Sequence, residues 1–322
     1  MRKVNVSFLG LGVVGLKLLK YVLMEKEQLK CHYGVDIDVV NMFVQNLEKP
    51  RKAYVNRERL TDNPYEAIDH ADIVIECIGG NGCKLTRELV LYALSHGKAV
   101  IMSSKKCLAF YGAEIEKVAK VNHAILKYDA TVGGGIPIST VLEHMGKCEE
   151  IREIFGICNA TSNYILTQMS QYNRSYPEAF LQAQKLGITE HDPKDDVDGY
   201  DSLYKAVILA GFGMHIWMNP KDITPVSISN IKVLKDRIIR PTFSIQYMKD
   251  TKTVKCQVGP KIIEPDDILA SVSGKNNIIV IKSSESGERA LIGEGAGARP
   301  TASAMFDDLV KILDRFMLMQ LM

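Results

Sequence analysis

Asp201 and Lys205 stand four residues apart in GITEHDPKDDVDGYDSLYKAVIL (187–209), where Ala206, Val207, Ile208 and Leu209 follow directly. On a helix the two side chains share one face. The apolar run beside them would hold the ammonium partly out of water. A lysine so placed has a lowered pKa and exchanges protons near neutrality; the plain alternative is a surface ion pair of about 0.3 kcal/mol. Upstream, six carboxylates (Glu190, Asp192, Asp195, Asp196, Asp198 and Asp201) crowd into twelve positions. An EF-hand is excluded, because Gly199 is misplaced and no Glu closes the loop. The cluster is either a solvated acidic turn or the lining of a pocket for a substrate that carries an ammonium group.

A second pattern lies near the N-terminus, in Gly10-Leu11-Gly12-Val13-Val14-Gly15. Alone this spacing is weak evidence. Here Val4, Val6, Phe8 and Leu9 precede it as a strand, and Val14, Leu18 and Val22 follow at helical spacing. In such a turn the first glycine permits the bend and the second admits a pyrophosphate. The third lets helix and strand close up, and the helix N-terminus faces the phosphates. The acid that would hold the adenosine ribose is expected about 20 positions on, which points to Asp36, with Asp38 beside it. Arg51, Lys52, Arg57 and Arg59 come next. They are either a solvated basic face or the source of a cation for a 2′-phosphate, so NAD and NADP both stay open.

These residues need elements to position them. Ala71–Gly80 reads as a buried parallel strand ending in Gly79 and Gly80, and Thr86–Ser95 as a helix. Lys98–Met102 reads as a strand leading to Ser103, Ser104, Lys105 and Lys106. A helix over 112–121 and a strand over Ala124–Tyr128 complete the alternation. That pattern predicts a Rossmann-type doubly wound parallel sheet, with Gly10–Gly15, Gly79, Gly80, Ser103 and Lys106 at the carboxyl ends where ligands bind. After Asp129-Ala-Thr-Val-Gly-Gly-Gly-Ile-Pro137 the alternation stops. A strand over 151–158, helices over 162–173, 177–187 and 200–213, and a strand-rich 240–290 predict an α+β domain. The expected division is 1–130 for the dinucleotide, completed by a C-terminal helix over 301–322, and 131–300 for substrate binding and dimerisation.

Composition limits the alternatives. The chain has 322 residues, 46% hydrophobic and 24% charged, with 40 Lys+Arg against 38 Asp+Glu. Disordered and collagen-like classes are excluded. A net charge of +2 without a basic block predicts no nucleic-acid partner. The seven scattered cysteines form no Cys-x-x-Cys pair, which predicts reduced thiols in a cytoplasm and no zinc site. No run of about 18 apolar residues predicts a membrane span.

The chain resembles the homoserine dehydrogenase family in FLGLGVVG (8–15), SSKKCLA (103–109), YDATVGGGIPI (128–138), GICNATSNYILTQM (156–169), LGITEHDPKDDVDGYDSLYKAVILA (186–210) and GEGAGARPTASA (293–304). The resemblance implies NAD(P)H-dependent reduction of L-aspartate-4-semialdehyde to L-homoserine, on the way to threonine, methionine and isoleucine. It implies Lys205 as the catalytic lysine, Asp201 as its substrate-contacting partner and Lys106 as a second active-site lysine. It places Glu190 and Asp196 in the amino-acid pocket and Thr161 in the substrate loop. The backbone at Asp129, Val132, Gly134 and Ile136 corresponds to a monovalent-cation (Na or K) site in some members, and the family is typically dimeric. Three departures stand out: Lys105 replaces an Asn, Asp129 replaces a Glu, and NGTTN has become Asn159-Ala160-Thr161-Ser162-Asn163. With 18 residues left after Ala304, a short form without a regulatory domain is expected, with at most weak competitive inhibition by L-threonine. The rival readings are another amino-acid semialdehyde or hydroxy-acid dehydrogenase and a non-catalytic dinucleotide sensor.

Overall fold

The structure, a computed structural model, describes residues 2–80, 82–189, 193–229, 231, 237–295 and 297–318. One unit comprises the chain up to Thr131 with the segment from Ala298 onward, and a second comprises Val132–Gly297.

The first unit is built on six strands: β1 (Arg2–Leu9), β2 (Val35–Phe43), β3 (Leu60–Thr61), β4 (Ile73–Glu76), β5 (Ala99–Met102) and β6 (Leu126–Lys127). All run parallel in the order β3-β2-β1-β4-β5-β6. The order reverses between β1 and β4, so the switch point lies beyond the end of β1. Every residue of β4 and of β5 is buried, as expected for a parallel sheet covered on both faces. Five helices accompany these strands: α1 (Val13–Tyr33), α2 (Pro64–Asp69), α3 (Cys83–Ser95), α4 (Lys105–Val121) and, from the chain's end, α10 (Ala298–Leu318). The last helix starts three residues before the expected Thr301, because Pro300 is tolerated in a first turn. Its Ala302, Met305, Leu309, Ile312 and Leu313 join Val4, Phe8, Leu18 and Ile37 in one core. Residues 319–322 of the expected helix lie outside the described residues.

The second unit holds an antiparallel sheet of β7 (Ile151–Ile157), β8 (Ile238–Met248), β9 (Thr253–Ile263), β10 (Asn276–Ser283) and β11 (Glu288–Glu294), ordered β11-β10-β7-β8-β9. Its helices are α5 (Ile138–Met145), α6 (Ala160–Tyr172), α7 (Tyr176–Lys185), α8 (Lys194–Val197) and α9 (Tyr200–Met214). Helix α9 packs against β7, β8, β9 and α5. It is buried nearly all round, including Leu203, Ala206, Val207, Ile208 and Leu209. A helix apolar on every side belongs in an interior, and this one carries Asp201 and Lys205 in with it.

Among the described residues no helix is long and apolar enough to cross a membrane. Among the described residues no cysteine forms a disulfide.

Candidate active site

The glycine turn has the three properties its spacing predicts. Gly10 has φ +100°, and a Cβ there would lie 2.6 Å from the Cys77 carbonyl oxygen. A Cβ on Gly15 would lie 2.5 Å from the Gly10 oxygen, whereas one on Gly12 would meet nothing within 4 Å. The turn is therefore closed on the protein side and open where a pyrophosphate would lie. Gly12 caps α1 without any side-chain hydrogen bond, and its first turn holds no acid. The free N–H groups and positive dipole end suit an anion. Val13, at the helix start, is 76% exposed, and Val14 is half-buried beside it. Gly79 and Gly80 follow β4, both exposed and with open space above them.

Asp36 is not at this site. It is the second residue of β2, opposite Lys3, and pairs with Lys26 at 3.1 Å. Asp38 pairs with Lys3 at 2.9 Å, and that hydrogen bond holds its carboxyl below the usual range. The carboxyl end of β2 is Phe43, whose carbonyl accepts the Gly10 N–H at 3.0 Å. Asp36 lies seven positions before that end, about 23 Å along a strand. Counting 20 positions fails because β2 is nine residues long, so the count lands near its start.

Glu76 was not singled out by its sequence, and it organises the exits of β4 and β5. Its carboxylate, fully buried, accepts the N–H groups of Ile78 (2.7 Å), Ser103 (3.1 Å) and Ser104 (3.0 Å) and the Ser104 hydroxyl (2.7 Å). Burial still pushes its pKa up against those bonds. Ser104 is the N-cap of α4, so Lys105 and Lys106 are the first residues of a helix rather than part of a loop before 112. The only local signal was an acid closing an otherwise apolar strand. Lys106 is half-buried, and its charge favours the Cys83 thiolate, although burial raises that thiol overall.

The second unit gathers a separate polar cluster. Lys205 Nζ lies 2.7 Å from Asp201 Oδ2 and donates to the Cys158 carbonyl at 2.5 Å. Both side chains are buried. Asn159 Nδ2 donates to Asp201 Oδ2 (2.8 Å) and to Asp196 Oδ1 (2.7 Å), while its Oδ1 caps α6 by accepting Ser162 N–H at 2.8 Å. Thr161 Oγ1 donates to the Ile188 carbonyl at 3.2 Å. The cluster assembles because β7 delivers Cys158 and Asn159 where α8 and α9 bring Asp196, Asp201 and Lys205. Burial pushes the Lys205 pKa down, and the Cys158 site and Asp196 oppose that shift. Asp196, Asp201 and Lys205 thus lie together, while the Thr161 hydroxyl is turned to the Ile188 carbonyl. Asn159, which ties the two acids to one another, went unremarked except as part of a departure from the family motif. Glu190 lies outside the described residues.

Of the four cation positions, Asp129 belongs to the first unit and Val132, Gly134 and Ile136 to the second. The Asp129 N–H donates to Asp308 at 2.9 Å, and its carboxylate lies 3.7 Å from Lys311. Burial and the Asp129 charge push Asp308 up to about 7. Among the described residues no group of three His, Cys, Asp or Glu side chains could hold a metal ion.

Residues 10–129 match the model "Homoserine dehydrogenase, NAD binding domain", and residues 137–310 match "Homoserine dehydrogenase". The chain is 32% identical to homoserine dehydrogenase of Bacillus subtilis, over 97% of this chain and 73% of that protein. A homoserine dehydrogenase structure from Thiobacillus denitrificans superposes with TM-score 0.88 at 32% identity, covering 97% of this chain and 74% of the other. A hyperthermophilic archaeal homoserine dehydrogenase, solved in complex with NADPH, superposes with TM-score 0.79 at 27% identity, covering 96% and 97%.

Proposed function

The chain belongs to the homoserine dehydrogenase family, and we propose that Lys205 carries the proton in its reaction. The protein is an NAD(P)-dependent oxidoreductase acting on a CH–OH group, interconverting L-homoserine and L-aspartate-4-semialdehyde. When bound, the nicotinamide would supply or accept the hydride. The phosphate end of the dinucleotide belongs on Gly10–Gly15 and the α1 N-terminus, with Gly79, Gly80 and Ser103 around the exits of β4 and β5.

The buried Lys205–Asp201 pair, cross-linked to Asp196 through Asn159, carries this reading. In aldehyde reduction the Lys205 ammonium stabilises the developing alkoxide and gives it a proton. In homoserine oxidation the neutral amine removes the hydroxyl proton. Asp201 and the Cys158 carbonyl fix the amine's direction, so no reorganisation is needed as charge develops. Asp196, Thr161 and Glu190 receive the substrate's amino-acid end, where carboxylates attract its ammonium. Lys106, on a helix anchored through Glu76, is the second basic group of the reaction. Spectrophotometric assay of L-homoserine beside other amino-acid alcohols and hydroxy acids tests the substrate. Homoserine should be oxidised fastest; a faster hydroxy acid would favour the rival dehydrogenase, and no turnover with any would favour a sensor.

Three finer readings accompany this one. The reaction belongs to cytoplasmic biosynthesis of threonine, methionine and isoleucine, where cysteines outside disulfides are at home. The chain pairs through its second unit, whose sheet leaves Met248 (42%), Ile262 (49%) and Ile292 (57%) exposed. Light scattering should return twice the chain mass, and a single chain mass at micromolar concentration would contradict a dimer. The carbonyls of Val132, Gly134 and Ile136, all within the second unit, serve a monovalent cation. Gly133 and Gly134 both have positive φ, 82° and 60°, and carbonyl oxygens suit a hard ion. Potassium or sodium should then raise the melting temperature above that in choline at equal ionic strength.

A further inference from the structure

We infer that Arg51 pairs with a phosphate on the adenosine ribose, which makes NADP(H) rather than NAD(H) the preferred cofactor. The inference rests on the dehydrogenase reading and adds to it the choice between two cofactors. In a doubly wound sheet the adenosine ribose lies past the end of β2, where an acid accepts its hydroxyls or an arginine accommodates a 2′-phosphate. No acid stands there in this chain: Phe43 is followed by Val44, Gln45 and Asn46, and Asp36 and Asp38 lie back along the strand in ion pairs.

An arginine does stand there. Asn46 Oδ1 accepts the N–H groups of Glu48 (2.9 Å) and Lys49 (3.1 Å), turning the chain back toward α1. Arg51 then donates from Nη2 to the Asn46 carbonyl at 3.1 Å and from Nη1 to the Leu11 carbonyl at 3.4 Å. Its guanidinium thus spans the exit of β2 and the glycine turn itself. Both bonds go to neutral carbonyls, Nε is buried without a partner, and no carboxylate pairs with it among the described residues. The guanidinium is half-buried with its Nη2 end at the surface, so a ligand can reach it, and it matches phosphate with two parallel donors.

The other basic residues are less suited. Arg59 lies 3.9 Å from Asp38, on the body of β2. Arg57 is exposed in the 3-10 turn Arg57–Arg59, and Lys52 is exposed. Glu48 is the one acid in 44–52, against Lys49, Arg51 and Lys52. The segment's net positive charge therefore favours a dianionic group over a bare ribose.

Equilibrium titration of the full chain with NADPH and with NADH, followed by nicotinamide fluorescence, tests the assignment. The parent should bind NADPH at least about tenfold tighter, the effect of one charge-assisted pair. Arg51→Ala should lose at least about tenfold for NADPH while NADH stays within about threefold. 2′,5′-ADP should compete on the parent better than 5′-AMP, and lose that advantage in the variant. Parent preference for NADH, or equal losses for both dinucleotides, would overturn the inference; equal losses would make Arg51 a staple of the turn. If neither dinucleotide binds the folded parent, the dehydrogenase reading fails as well, an outcome distinct from a wrong preference.

Discussion

Asn159 shows how one neutral amide can hold a buried acid, Asp201, and a half-buried one, Asp196. Its Nδ2 serves Asp196 and Asp201 together, so each carboxylate keeps a donor while Asp201 also holds Lys205. Asn159→Ala strips that donor from both and removes the α6 cap, a loss of about 1 kcal/mol for the cap alone. We expect kcat for homoserine to fall at least about tenfold, because Asp201, then held by Lys205 alone, loses its fixed orientation. Dinucleotide affinity should be unchanged; equal turnover in steady-state assays would remove Asn159 from the site. Asp201→Asn tests the proton carrier differently. Without the carboxylate the ammonium form of Lys205 loses its nearest counter-charge, and its pKa falls further. The alkaline rise of homoserine oxidation should move to lower pH, because the amine is then freed sooner. An unmoved or upward-shifted limb would contradict the pairing. Asp201 and Lys205 were legible because four positions on one helix are a local relation. Asn159 was not, since its partners lie 37 and 42 residues away and only the meeting of β7 with α8 and α9 defines them.

At the level of elements, the strand–glycine–helix turn separates cofactor binding from folding by position. Gly12→Val places its side chain in open space. It should leave the melting temperature nearly unchanged while weakening dinucleotide binding at least about tenfold, since it fills the pyrophosphate's place. Gly10→Ala puts a Cβ 2.6 Å from the Cys77 oxygen at φ +100°, and should destabilise by about 1–3 kcal/mol or more through backbone strain. Calorimetry and thermal melting on both variants check the contrast; similar profiles for the two would refute it. This turn was readable because its glycines, its strand and its helix adjoin in sequence. The start of α4 was misplaced for the opposite reason. Ser103-Ser104-Lys105-Lys106 is polar like a loop, and its helical N-terminus is fixed by Glu76, 27 and 28 residues earlier. Asp36 failed through strand length, which a spacing rule does not contain.

At the scale of the whole molecule, the first unit is closed by the end of the chain. Leu309 is fully buried in the core with Val4, Phe8 and Leu18. Leu309→Ala should cost about 2–5 kcal/mol and lower dinucleotide affinity only through unfolding, so added NADPH should partly restore the melting temperature. A melting temperature equal to the parent's would show that α10 is not part of this core. The alternation of strands and helices, followed by a strand-rich segment, made both architectures legible. The order of the second sheet was not, because β7 pairs with strands about 90 and 120 residues later. The central claim is that a buried lysine in this second architecture moves the proton while the first binds the dinucleotide. Its most direct test is the rate of nicotinamide reduction by L-homoserine across pH, for the parent and for Lys205→Ala. The parent rate should rise with pH through a limb below the ordinary lysine range, because burial lowers that pKa. The variant should bind the dinucleotide normally, lose at least about 100-fold in rate and lose the limb; a variant within a few-fold of the parent, with the same limb, would contradict the claim.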